Sequence, residues 1–362
     1  MALKCGIIGI TSVGKTTIFN CISNTRGETN TYGTGVKANL GVIQVPDNRL
    51  YELEKLQPTE RIVHTTVEIV DIPGLAKGQS DSSGARLLGE IRNTDALIHV
   101  LRCFDDDNLP HIDGSVNPVR DLENVEFELQ VKDVESVEKK IQRLERAAKT
   151  GDKDAKHGIE VLSRYREHLE SFKNASALEI KPEESRYVDD IFLLTMKPVL
   201  YVCNVDEASA VDGNAYVKAV REYLSGRGAV PLVIAGALEA EIANLTEEAD
   251  RTEFLEASGL TGPGVNKLVR AAYEMLNLLT FFTVGPKEIR AWTITAGMTA
   301  PQAAGVIHSD LERGFIRAEV MKYDDFIRLG SEHACREAGK LMVEGKNYVV
   351  ADGDILHIRF NV

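Results

Sequence analysis

The chain has 362 residues, is 43% hydrophobic and 27% charged, and carries a formal net charge of −13, a globular composition long enough for two or three domains. The acidic balance removes any bulk attraction to nucleic acid, so an RNA contact needs a local basic patch and DNA is not expected as a partner. No apolar run reaches the about 18 residues of a membrane span, no signal-peptide pattern opens the chain, and five cysteines without a Cys-x-x-Cys pair argue against a disulfide framework or zinc site. The expectation is a cytoplasmic protein with no membrane partner and plain buried thiols at Cys5, Cys103 and Cys203.

Apolar β-rich runs at 3–8, 67–70, 96–101, 199–203 and 230–234 alternate with helical patterns, which predicts an α/β domain with a parallel-type sheet covered by helices. The first run leads into Gly9-Ile10-Thr11-Ser12-Val13-Gly14-Lys15-Thr16, the G-x-x-x-x-G-K-[ST] pattern between a strand and a helix beginning at Lys15. Its glycines let the backbone approach phosphates, and its amides and the helix N-terminus hold anions. Ser12, Val13, Gly14, Lys15, Thr16 and Thr17 are therefore the expected phosphate-binding residues. Lys15 reaches the β- and γ-phosphates as a catalytic group, and the Thr16 hydroxyl is a Mg²⁺ ligand.

The run 67–70 closes on Asp71-Ile72-Pro73-Gly74. An Asp there holds Mg²⁺ through water, and the Gly74 amide senses the γ-phosphate. Leu75 stands where many GTPases carry the water-orienting Gln, so another group must position the attacking water. His111, in the polar loop 105–118, is a candidate for that catalytic role, against the blander alternative of a solvated loop histidine.

Residues 121–195 read as an inserted antiparallel helical hairpin. Val134, Val137, Ile141, Leu144 and Ala148 form one seam; Ile159, Leu162, Leu169 and Phe172 form the other, interrupted by Arg166; Lys149-Thr150-Gly151-Asp152 breaks them. Arms of about 24 residues would project roughly 35 Å. Between Lys139 and Arg166 nine basic residues face four acidic ones. Such a run is either a solvated helix face or an RNA or ribosome contact.

After the run 199–203 comes the base-reading position, Asn204-Val205-Asp206-Glu207. Guanine readers usually carry Asn-Lys-x-Asp, whose Asp accepts from guanine N1 and N2. Val205 replaces the Lys, and Glu207, a longer carboxylate, fits that donor pair poorly. Asn204, Val205 and Glu207 thus point to ATP ahead of GTP; Asp206, acting one position early, keeps GTP open. The tail reads as a small α+β module, with strands expected at 289–295, 314–320, 347–350 and 355–360, helices at 302–307 and 323–329, and a turn at Asp352-Gly353-Asp354.

The motifs together resemble the YchF-type branch of the Obg-related P-loop GTPases. The resemblance rests on Asp71-Ile72-Pro73-Gly74-Leu75, Arg102-Cys103-Phe104-Asp105 and Asp113-Gly114-Ser115-Val116-Asn117-Pro118, and most strongly on the tail: Arg290-Ala291-Trp292-Thr293-Ile294, the stretch from Ala300 to His308, that from Glu312 to Glu319, and Glu344-Gly345-Lys346-Asn347-Tyr348. It implies a Ras-like P-loop domain at 1–120 and 196–277, the hairpin at 121–195 and a C-terminal TGS domain at 278–362. It also implies hydrolysis of ATP in preference to GTP, a hydrophobic residue in place of the catalytic Gln, and association with ribosomes. The chain departs from the family at Thr11-Ser12, where Pro-Asn is usual. Related enzymes use that Asn to help hold potassium, so a potassium requirement is left open. In the first switch, 30–39, Gly35 falls at the place of the Mg²⁺-ligating Thr; Thr34 takes that role if the loop shifts by one residue. The expected function is a slow ATP hydrolase acting as a regulatory switch at the ribosome, through the hairpin tip and the TGS domain. The alternatives are a GTPase of the same design and a nucleotide-binding module with negligible turnover.

Overall fold

A computed structural model describes residues 3–24, 39–74 and 88–361. Leu75 and the switch stretch holding Thr34 and Gly35 lie outside the described residues. The chain forms two compact units, one of residues 3–41 and 68–265, the other of 42–67 and the chain from Asn266 onward.

In the first unit, β1 (Lys4–Ile8) lies between β4 (Thr66–Asp71) and β5 (Ala96–Cys103), and β6 (Val199–Val205) and β7 (Leu232–Ile234) continue the sheet; neighbours among these five strands pair in parallel. With β2 (Asn39–Gln44) the order is β2-β4-β1-β5-β6-β7. Every residue of β5 is buried, which is why it reads as mostly apolar, with only His99 and Arg102 polar: both faces of a parallel sheet are covered. All five cysteines are buried and free. Among the described residues no helix is long and apolar enough to cross a membrane.

The hairpin has unequal arms, not two of similar length. The first, α3 (Pro118–Lys149), has 32 residues, and the second, α4 (Lys153–Glu170), has 18. Asn117 caps α3 by accepting from the Arg120 amide, Pro118 sits at its first turn, and Asp152 caps α4 after the expected break. The inequality has a packing cause. Leu122 belongs to one apolar cluster with Leu101, Cys103 and Tyr201 of the sheet, so the first half of α3 is a sheet-covering helix. Only its second half pairs with α4, through Val137 and Ile141 against Val161, Leu162, Tyr165 and Leu169. Tyr165, absent from the expected stripe, is fully buried. Phe172, expected in it, is 70% exposed, because α4 ends at Glu170 and Phe172 turns to φ 60° beyond the cap.

The second unit holds β3 (Ile62–Val63), β8 (Leu278–Val284), β9 (Ile289–Thr295), β10 (Phe315–Lys322), β11 (Met342–Glu344) and β12 (Asp354–Phe360), in the order β11-β10-β12-β8-β9-β3. The early strand β3 pairs with Ile289 and Arg290, and Leu50 and Leu53 of α2 (Arg49–Leu56) enter the same core as Phe282 and Ile289. Residues 42–67 therefore pack with the C-terminal unit, although their place in the chain put them with the phosphate loop. The helices α9 (Ala300–Ile307) and α11 (Tyr323–Leu329) fall where expected. The strand expected at 347–350 is displaced to β11. The backbone around Val349 bonds instead to the 298–300 turn, with the Ala300 amide donating to Tyr348 and the Val350 amide to Met298.

Candidate nucleotide site

The phosphate loop leaves β1 and enters α1 (Lys15–Asn24). At Gly14 the backbone has φ 93°, and a Cβ there would lie 2.2 Å from Asn204 Nδ2; only glycine fits. Asn204, at the end of β6, donates through Nδ2 to the Val13 carbonyl and accepts at Oδ1 from the Gly236 amide, both at 2.9 Å. It ties the phosphate loop to the segment after β7.

The Lys15 ammonium is buried and donates to the Ile10 carbonyl at 2.6 Å. Burial lowers its pKa to about 8, against a partial restoring pull from Asp71. The Thr16 hydroxyl donates to Asp71 Oδ2 at 2.8 Å. Burial raises the Asp71 carboxyl, opposed by Thr16 and Lys15, and its Oδ1 is buried with no hydrogen-bond partner among the described residues. Three residues on, Gly74 lies so close to the loop that a Cβ would stand 3.0 Å from the Thr11 amide nitrogen.

A cavity of about 610 Å³ opens over this loop. Ser12, Gly14, Lys15, Thr16 and Thr17 form one wall, and Asn204, Val205, Asp206, Glu207 and Ala237 another. Phe104, Asp105, Asp106 and Leu109 complete it, so the loop 105–118, expected to fold over the phosphates and to offer His111, meets the site through its first residues instead, none of them singled out as a site residue by the sequence. Their signal was positional, since in open α/β sheets ligands bind beyond the carboxyl ends of the strands, and 104–109 follows β5. Arg102, 2% exposed, shapes that segment by donating to the carbonyls of Phe104 (3.2 Å), Leu109 (2.8 Å) and Asp106 (3.4 Å). Its guanidinium also lies 4.8 Å from the Phe104 ring centroid.

In the base-reading segment Asp206 Oδ1 accepts from the Ser209 amide at 2.9 Å and caps its own turn, while Glu207 is exposed. His111 does not line the cavity. Its side chain is only 4% exposed, with Nε2 2.9 Å from Asp121 Oδ2, and Nδ1 accepts from the Asp113 amide at 3.1 Å. It is neither solvated nor directed at the phosphate loop.

The low Lys15 pKa has a binding consequence. Nucleotide phosphates need the charged ammonium, so affinity is flat below about pH 7.5 and falls above pH 8, where the empty site loses the proton. The expected limit is about tenfold per pH unit while the bound form stays protonated. Titration of nucleotide into the protein at pH 7, 8 and 9 measures this; a constant Kd across the series contradicts it.

A buried strand feeding a phosphate loop, a helix whose Thr16 meets the strand-ending Asp71, and a base-reading segment at the end of β6 define a P-loop nucleotide hydrolase. Comparison with known proteins agrees. A family model described as "50S ribosome-binding GTPase" matches residues 4–150, and the model YchF-GTPase_C, described as a protein of unknown function, matches 278–361. The "Ribosome-binding ATPase YchF" proteins of Haemophilus ducreyi and Bacillus subtilis are each 44% identical to this chain, and that of Escherichia coli O157:H7 is 43% identical; each match covers 100% of both chains. The solved Schizosaccharomyces pombe YchF GTPase has 33% identity and a TM-score of 0.87, covering 99% of this chain and 97% of its own. The chain belongs to the YchF family.

Proposed function

We propose that this protein is a Mg²⁺-dependent ATPase that turns over slowly and serves as a regulatory switch at the ribosome, in the cytoplasm. The observation carrying the base preference is the Asp206 cap. One oxygen of that carboxylate accepts from the Ser209 amide, which turns the short acid that keeps guanine reading open toward its own backbone, whereas the Glu207 carboxylate makes no such bond among the described residues. Phe104 and Leu109 on the opposite wall suit the flat face of a purine. The names of the bacterial relatives, ribosome-binding ATPases, support both the nucleotide and the partner.

The donor set suits Mg²⁺. A buried, unpartnered carboxylate oxygen on Asp71 beside the Thr16 hydroxyl is a hard oxygen site for a hard cation. A bound Mg²⁺ would supply positive charge against the phosphates. Thr16 and Asp71 would hold it, and Lys15 would leave the Ile10 carbonyl for the phosphates. The Gly74 amide, on a residue packed against Thr11, would report the γ-phosphate. Slow turnover follows from the water-positioning side: Leu75 cannot do the task, and His111 is held by Asp121. Nε2 meets Asp121 and Nδ1 accepts from the Asp113 amide, so the ring has no free nitrogen for a water until it turns out of these bonds. A binding module with negligible turnover is the second reading, favoured by the same His111 placement. Single-turnover phosphate release separates the two: measurable ATP cleavage lost in His111→Ala supports hydrolysis through this ring, and equal traces for wild type and Lys15→Ala sink the enzyme reading.

For the partner, the hairpin tip is the basis. Lys139, Arg143, Arg146, Lys149, Lys153 and Lys156 are exposed and make no ion pair among the described residues, whereas Lys140 pairs with Asp190 and Arg164 with Glu184. Uncompensated cations clustered on an acidic protein suit phosphate backbone. The TGS-type C-terminal unit is the second ribosome-reading element. Reversing Lys149, Lys153 and Lys156 to Glu is expected to cut co-sedimentation with ribosomes about tenfold and to flatten its salt dependence; unchanged pelleting removes the tip from the contact.

A further inference from the structure

The first unit contains a second cavity, of about 650 Å³, sharing no lining residue with the nucleotide site. It lies on the face of β5 and β6 that α3 covers. Its walls are apolar, with Leu97, Val125, Leu129 and Val199 among them. Its buried polar groups are engaged, with one exception. Glu126 accepts from the Tyr201 hydroxyl at 3.0 Å and from Arg227 at 2.7 and 2.8 Å. Gln130 donates to Asn174 at 2.7 Å, and the Thr195 hydroxyl to Asp133 at 2.7 Å.

The exception is His99. It is 2% exposed, lines the cavity, and makes no hydrogen bond to any described residue. Burial lowers its pKa to about 3, so the ring is neutral and offers one donor and one acceptor. A donor and an acceptor on the wall of an otherwise apolar cavity suit the few convergent polar groups of a small-molecule site. At the mouth, Lys173 is exposed and unpaired among the described residues, and Arg227 is matched by Glu126. The uncompensated charge at the mouth is positive.

We propose that this cavity binds a small amphipathic organic anion. Its apolar, ring-sized body lies against Leu97, Val125 and Leu129, a hydrogen-bonding atom meets His99, and its acid group faces Lys173. The volume is in the range of small-molecule sites, about 300–1,000 Å³. His99 stands in register with Ile8, the residue before the phosphate loop, so the ligand would sit one strand away from the loop's anchor.

The probe for the test is 8-anilinonaphthalene-1-sulfonate, an aromatic sulfonate of this shape and charge, titrated by fluorescence into the full chain. The expected result is saturable binding of one equivalent that persists at saturating ATP and Mg²⁺. Ala177→Trp, which fills the mouth from an exposed lining position, and Lys173→Glu, on the surface, are each expected to weaken it at least tenfold with an unchanged circular dichroism spectrum. No saturable binding by wild type, displacement by ATP, or an unchanged affinity in either variant overturns the proposal. ATP binding followed in the same samples reports on the nucleotide site separately.

Discussion

Lys15→Ala is expected to lower the rate of nucleotide hydrolysis by about 10²–10³ or more, the loss typical of removing one preorganised group that meets transition-state charge. Lys15 is the buried cation of the phosphate loop, and its ammonium rests on the Ile10 carbonyl at 2.6 Å. That perch is temporary by design: a carbonyl is a weaker partner for an ammonium than a phosphate oxygen, so the charge is stored beside the place where it is needed. The fold should survive the change, since Lys15 closes no apolar contact that alanine cannot leave to solvent at the cavity. Unaltered thermal unfolding together with lost phosphate release is the expected pair of results, and wild-type turnover in the variant would remove Lys15 from the chemistry.

Gly14→Ala is expected to damage both stability and binding. The new methyl would stand 2.2 Å from Asn204 Nδ2, on a backbone with φ 93°. Asn204 must move, and its movement unpairs the Val13 carbonyl and the Gly236 amide together. At about 1–3 kcal/mol for each buried group left unpaired, a loss of roughly 3 kcal/mol of unfolding free energy is expected. Nucleotide affinity should fall with it, because the segments of both walls lose their common tie. Denaturant unfolding and nucleotide titration of this variant check the two effects. Asn204→Ala should reproduce most of the loss, since it removes the same two bonds without adding the methyl. An Asn204→Ala protein as stable as wild type would show that the tie carries little energy.

The phosphate loop was legible in the sequence because its chemistry is local: eight consecutive residues carry the glycines, the lysine and the hydroxyl, and the strand and helix on either side follow from hydrophobic periodicity. The buried parallel strands were legible for a similar reason, their apolar runs being set by burial on both faces. The hairpin break at 149–152 was readable from turn residues and an Asp cap. Long-range placement was not. Nothing near Phe104 or Leu109 says that they wall the nucleotide cavity; that depends on Arg102 folding the segment back by three carbonyls. Nothing around Ile62 and Val63 says that they pair with a strand more than two hundred residues away. Tyr165 escapes the sequence reading because the stripe through Ile159, Leu162 and Leu169 is counted through Arg166, whereas the arm buries Tyr165 completely. His111 reads from the sequence as a candidate water-positioning group or a solvated loop residue, and its hydrogen bond with Asp121, ten positions on, is invisible to any local pattern.

The base-reading segment decides which nucleotide the cavity takes. With Asp206 capping its own turn and Glu207 in the fourth place, the nucleotide cavity should take adenine in preference to guanine. Competition of unlabelled ATP and GTP against a fluorescent adenine nucleotide, with Mg²⁺ present, tests this most directly. The account predicts displacement by ATP at concentrations at least tenfold lower than by GTP. Displacement by GTP at equal or lower concentration would contradict it.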